Sequence, residues 1–320
     1  MNKTKRCGNP QCQAHDTGVC FESGDRCETC SKWNSDITIT KNEKKKNNKA
    51  SSVKWDGEAF TLDSLYTISQ RATPIIIASI GNVDAGKTSY LGMLYTLLLN
   101  GYKLEDFQFS GSQTIVAWDR LADKLRFIKD SVALPVPTPN TPDYYHLLHL
   151  LLNKNSVLHE VIFADASGEV FKLWATNKDD ENAESARWIH NNASAFLLFV
   201  DCDYLEQRKA IAKGEILDIA KRLADNLKNR PVAVMWSKAD KIEKVHPKIK
   251  EAIKEELQDI FKGNYREFEI TNYPDKTPEE SCHNNNLMAL NWLLNIATKA
   301  SNVIPEVEVN RADDVFFNYK

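Results

Sequence analysis

From about residue 72 onward, apolar positions alternate between two rhythms. Short runs of consecutive apolar residues predict strands buried on both faces, and the stretches between them carry the three-to-four spacing of amphipathic helices. The first run, residues 74–80, is rich in Ile and has its proline at the start, where it disturbs a strand least. A helix is expected over 88–99, stopped by Asn100-Gly101. Helical spacing also covers 115–128, whereas the prolines of 133–142 exclude regular structure. Residues 144–152 and 157–164 read as two strands joined by the polar turn Asn153-Lys154-Asn155, the one place where neighbours should run antiparallel. Strands at 195–201, 231–236 and 266–271 then alternate with helices at 207–227, 247–261 and 286–300. This alternation predicts an α/β, three-layer fold around a mostly parallel sheet.

The region before residue 73 has a different character. Residues 1–33 are polar and Cys-rich, and 34–72 form a Lys/Asn/Ser-rich linker and lead-in with little to pack. The α/β domain is expected over 73–300, followed by a tail, 301–320. Charged residues make up 27% of the 320 and apolar ones 42%, ordinary values for a soluble globular protein. No apolar run is long enough to span a membrane and no secretory segment is recognisable, so a soluble, cytoplasmic protein without a membrane partner is expected. The net charge of −3 is unevenly spread, since residues 1–54 carry 11 Lys/Arg against 6 Asp/Glu. A basic arm can bind nucleic acid, but a solvated linker is the favoured reading.

Between the first strand and its helix stands Gly81-Asn82-Val83-Asp84-Ala85-Gly86-Lys87-Thr88, followed by Ser89. A tight glycine turn at a helix N-terminus aims backbone N–H groups at phosphate oxygens. Lys87 would reach the outer phosphates and the Thr88 hydroxyl would ligate Mg2+. The motif indicates a nucleoside triphosphate and leaves the base open. Asp165-Ala166-Ser167-Gly168-Glu169 ends another apolar strand, with Asp165 placed to hold Mg2+ through water and the Gly168 N–H to sense a γ-phosphate. Ser237-Lys238-Ala239-Asp240 ends a third. A carboxylate there can accept both the N1–H and the exocyclic amine of guanine, while the Lys238 stem lies over the base. Asn177-Lys178-Asp179-Asp180 spells the same pattern but follows no strand, and is set aside as a charged loop.

These three motifs in this order resemble GTPases of the Ras-like, translation-factor class over about residues 73–300. The resemblance implies a Ras-like P-loop fold, GTP/GDP binding with Mg2+, and slow hydrolysis in a switch read by protein partners. Glu169 stands where translation factors carry His, and could orient the attacking water. Val83 crowds the position that accommodates a partner's arginine finger, leaving Arg120 or Arg126 as arginines in cis. The first switch needs a threonine for Mg2+, for which Thr141 is preferred over Thr138. The base-supporting loop would fall at Ile270-Thr271-Asn272, a poor match. An ATP-using P-loop enzyme and a non-hydrolysing GTP-binding scaffold are the alternatives.

Five of the seven cysteines, Cys7, Cys12, Cys20, Cys27 and Cys30, lie in the first 30 residues. Their paired spacing suits four-coordinate Zn2+, with Cys20 as a substitute ligand, and metal would supply the folding energy of so short a segment. With this cluster the chain also resembles bacterial double-GTPase-type proteins of multi-gene conflict and defence systems, which implies partners in a multi-protein system. Tyr144, Tyr145, His146 and His149 alternate with leucines and read as two faces of a strand. Trp174 and Trp188 flank a charged stretch that forms either a mobile second switch or an anchored helix.

Overall fold

A computed structural model describes residues 30, 33, 55–69, 72–124, 127–128, 131–132, 145–272 and 280–301. The chain divides into two units, Met1–Lys54 and Trp55–Lys320. Of the first, only Cys30 and Trp33 are described, with the Trp33 N–H donating to the Cys30 carbonyl at 2.9 Å.

The second unit opens with helix α1 (Leu62–Ser69), then β1 (Ile75–Ile80), α2 (Lys87–Leu99), β2 (Gln108–Gly111) and α3 (Ile115–Lys124). A small hairpin of β3 (Phe127–Ile128) and β4 (Ser131–Val132) follows. Next come β5 (His146–Lys154), β6 (Val157–Asp165), α4 (Gly168–Thr176), α5 (Glu184–Asn192), β7 (Ala195–Asp201) and α6 (Cys202–Ala224). The chain continues through β8 (Val232–Ser237), α7 (Pro247–Phe261), β9 (Tyr265–Ile270) and α8 (Glu280–Ser301).

Seven strands form one sheet in the order β2-β5-β6-β1-β7-β8-β9. From β6 to β9 every pairing is parallel, and β2–β5 and β5–β6 are antiparallel. Strand β1 sits in the middle, and all six of its residues are buried, as an Ile-rich run without polar alternation requires. Its even-numbered residues, Ile76, Ala78 and Ile80, pack with Phe171 and Trp174 of α4, Leu217 of α6 and Leu257 of α7. The odd-numbered Ile75 and Ile77 pack with Tyr90 and Leu94 of α2, Trp118 of α3 and Leu290 of α8. Two apolar layers on one sheet are the expected three-layer α/β arrangement. Each fully buried Leu, Ile or Phe side chain in them contributes about 1.5–3 kcal/mol.

The structure departs from expectation in places. The helical pattern at 115–128 ends at Lys124, and Phe127–Ile128 turn into the small hairpin. The β5–β6 pair is not the sole antiparallel contact, because β2 adds to the edge of β5 with a register shift at Phe109/Gly111. The turn between β5 and β6 is tighter than the three-residue reading: Asn155 and Ser156 both take positive φ, 51° and 65°, the geometry of a two-residue hairpin loop. Helix α6 begins five residues before the expected 207, because the Asp201 carboxylate caps it by accepting from the Asp203 and Tyr204 N–H groups. Phe60 in the lead-in pairs with Leu147 at the edge of β5.

Candidate functional site

The motif residues converge at the carboxyl ends of β1, β6, β7 and β8, where ligands bind in open parallel sheets. Gly86 takes φ 86° as the N-cap of α2, a conformation a side chain resists. This turn sets the helix N-terminus behind the loop. Lys87 is buried, and its ammonium donates to the carbonyls of Gly81 (3.1 Å) and Asn82 (2.8 Å). Burial pushes its pKa down to about 8, against the pull of the Asp165, Asp84 and Asp201 carboxylates, which favour the charged form. Val83 and Asp84 are exposed at the tip of the loop.

The Thr88 hydroxyl donates to Asp165 Oδ2 at 2.8 Å, joining the start of α2 to the end of β6. The other carboxylate oxygen, Asp165 Oδ1, is buried with no hydrogen-bond partner. A hydroxyl oxygen and a carboxylate with an orphaned buried oxygen form a hard-oxygen donor set, and these residues fit Mg2+. Beyond Asp165, Ser167 caps α4 by accepting from the Glu169 N–H. Gly168 lies flush on the loop: a Cβ there would stand 2.1 Å from the Val83 nitrogen and 2.3 Å from the Asn82 carbonyl carbon. Only glycine permits this approach. Glu169 is exposed on the first turn of α4.

On the other side, Ser237 is buried at the end of β8 and packs towards Gly86, where a Cβ would meet the Ser237 Cβ at 3.7 Å. Lys238 takes a left-handed conformation (φ 53°), and its ammonium pairs with Asp201 Oδ2 at 2.8 Å. Asp203 accepts from Lys241 at 2.7 Å and lies 3.7 Å from Lys238. Burial raises the Asp201 pKa, and the Lys238 ammonium works against that rise. The Asp240 carboxylate is exposed, and the Asp240 N–H donates to Thr271 Oγ1 at 3.1 Å. Thus the 270–272 loop, a poor match by spelling, does support the Asp240 turn. Asn272 is fixed in turn by Asn286 Nδ2 at 3.0 Å.

Several expected residues fall elsewhere. Thr138, Thr141 and Arg126 lie outside the described residues, as do Cys7, Cys12, Cys20 and Cys27. Cys30 is described as a free, half-buried thiol, and no group of three metal-ligating side chains occurs among the described residues. Arg120 is exposed, pairs with Glu58 at 2.7 Å, and does not line the cavity beside the loop. Asn177 and Asp180 cap helical turns, in keeping with setting that stretch aside. Trp174 is buried against Phe171 and His190, so the anchored reading holds for it. His149 is buried in β5, where Nδ1 accepts from the Gln113 N–H and Nε2 meets Glu160 at 2.5 Å.

Sequence reasoning missed Asp201, Asp203, Tyr204, Lys172 and Glu215. With the loop tip they line a cavity of about 300 Å3. A wider depression of about 820 Å3 near Asp259, Lys262 and Arg266 lies at the opposite end of the sheet, away from every motif. Asp-x-Asp beginning on the last residue of a strand was the one legible sign, as a helix cap.

The glycine loop, the Thr88–Asp165 pair and the Lys-x-Asp turn, gathered at the carboxyl ends of the strands, define a P-loop nucleotide-binding domain. The Double-GTPase 2 family model matches residues 75–293, and the chain belongs to that family. Comparison with curated sequences returns no match. Among solved structures, the chain is similar to the GDP-bound Roco2 RocCORdC protein of Methanosarcina barkeri, at 14% identity and a TM-score of 0.38. The match covers 70% of this chain, which spans about half the length of that protein. Among the described residues no helix is long and apolar enough to cross a membrane.

Proposed function

We propose that the protein is a GTP-binding, GTP-hydrolysing switch that acts through protein partners. The observation that carries the reading is the base-side turn, where the exposed Asp240 carboxylate stands on a backbone held by Thr271, next to a left-handed Lys238. Guanine offers that carboxylate two N–H donors, and adenine does not. Lys87 and the loop N–H groups bind and orient the phosphates. Thr88 and Asp165 would hold Mg2+, which neutralises charge on the β- and γ-phosphates when bound. Glu169, at the start of α4, orients the attacking water, and the Gly168 N–H faces the terminal phosphate. Partners would read α4 and the first switch, whose threonine we assign to Thr141. On spacing alone, we assign Zn2+ to four of the five N-terminal cysteines.

Competition binding tests the base assignment. Asp240→Asn should shift preference from GTP towards xanthosine triphosphate, because an amide can donate to the oxygen that replaces the exocyclic amine. Unchanged preference in that variant refutes the assignment.

A further inference from the structure

We propose that Glu215, thirteen residues into α6, is the positioning residue that latches the second-switch helix α4 to the phosphate-binding loop. Three segments distant in sequence donate to its carboxylate. The Lys172 ammonium, one turn after Gly168, reaches Oε1 at 2.5 Å. The Tyr204 hydroxyl reaches Oε2 at 2.9 Å, and the Asn82 side-chain amide reaches the same oxygen at 3.4 Å. Glu215 thus accepts hydrogen bonds from the loop, from α4 and from the N-terminal turn of α6.

A straight helix forbids this arrangement. Tyr204 and Glu215 are eleven residues apart, which is about 16 Å of helical rise, beyond what the two side chains can bridge. They meet because Lys209 leaves helical geometry, with φ 47° and ψ −116°. That is the first central position of a type II′ turn, normally given to glycine. The break folds 202–208 back over the following turns. A strained non-glycine residue beside a candidate site, with a definite geometric consequence, points to function.

The carboxylate behaves as a hub. Burial pushes its pKa up, but hydrogen bonds from Lys172 and Tyr204 together with the positive charges of Lys172 and Arg208 hold it below the ordinary glutamate value. Lys172 is 58% exposed, and an isolated pair at such a site is worth little. Three donors on one carboxylate polarise and support one another. Pulling on Lys172 moves the helix that begins with Gly168 and Glu169, so the hub sets how those two residues face the phosphate end.

The kinetic half of this inference rests on the GTPase reading, and the structural half does not. Hydrogen exchange on the nucleotide-free chain tests the structural half. Glu215→Ala should raise exchange over residues 168–176 by about tenfold relative to the β7 and β8 peptides, which serve as internal standards. Lys172→Ala, at an exposed position that cannot threaten folding, should do the same. The reciprocal pair Lys172→Glu with Glu215→Lys should restore most of the protection. Single-turnover GTP hydrolysis should fall about tenfold in each single variant and recover in the reciprocal pair, with GDP affinity within about threefold of the parent. Unchanged exchange over 168–176 in both single variants overturns the latch, as does a rise spread evenly over the chain. Altered exchange with unaltered hydrolysis overturns its role in positioning. If the parent chain binds no guanine nucleotide, the GTPase reading falls and the exchange result still judges the latch.

Discussion

Replacing Gly168 with alanine adds one carbon at the tightest approach to the phosphate-binding loop. That carbon would stand 2.1 Å from the Val83 nitrogen and 2.3 Å from the Asn82 carbonyl carbon, where ordinary contact begins at 3.4 Å. Both obstacles are backbone, so no rotamer change relieves the clash. Either α4 retreats by more than 1 Å or the loop deforms, and the loop is braced from behind by Lys87 on its own carbonyls. Retreat is the cheaper route, and under the proposed GTPase function it would carry Glu169 and the Gly168 N–H away from the place assigned to the terminal phosphate. A displacement of about 1 Å at a reacting centre costs about 100-fold in rate. Gly168→Ala should therefore lower single-turnover GTP hydrolysis about 100-fold and leave GDP affinity within a few-fold of the parent. Rapid-quench hydrolysis with fluorescent-GDP titration measures both quantities. Hydrolysis within threefold of the parent refutes the argument that this contact sets the switch.

Three further outcomes are expected. Lys87 titrates near 8 in the nucleotide-free chain, below its ordinary 10.5, so the folded state binds fewer protons than the unfolded state between those values. Stability should accordingly rise with pH across that window, by at most about 1.4 kcal/mol per unit, and the rise should vanish in Lys87→Met; parallel urea titrations of the two would disprove it. Glu160→Ala should destabilise by about 1–3 kcal/mol, because Nδ1 of His149 already accepts from Gln113 and the buried Nε2–H loses its acceptor, while Glu160→Gln should cost less in the same urea titration. Lys209→Gly should gain about 1 kcal/mol in thermal or urea unfolding, since relief of a strained φ exceeds the chain-entropy cost of glycine, and a net loss would show that Lys209 is not strained.

The central strands were legible because burial on both faces leaves an unbroken apolar run. The expected bounds for β7 and α7 coincide with the observed ones, and β1 and β8 differ by a residue. What escaped notice shares a physical cause. Helix α5 carries Glu184, Arg187, His190 and Asn192 on a short amphipathic segment, and β2 alternates exposed and half-buried residues at an edge. Neither offers a continuous apolar signal. The pattern over 115–128 misled for the opposite reason. Phe127 and Ile128 continue the helical spacing in sequence, but pair with 131–132 instead.

The site divides in the same way, between chemistry that is local and chemistry that topology assembles. Glycine turns, a strand-end carboxylate and a Lys-x-Asp turn are each written in a few consecutive residues, so spelling plus an adjacent strand made them candidates, and the fold gathers them at the carboxyl ends of the strands. Asp201 required one more step. With β1 between β6 and β7, the carboxyl end of β7 must face the loop that leaves β1, and a polar residue there must meet either the phosphates or the neighbouring β8 turn. It meets the β8 turn, through Lys238. Strand order alone would have placed it. Glu215 could not be placed that way, because helical periodicity puts it three turns beyond Tyr204 and out of reach. Only the break at Lys209 returns it to the loop, and nothing about an exposed lysine in a polar, helix-favouring stretch announces a break. The part of the site hidden from sequence is thus the part that couples one loop to another.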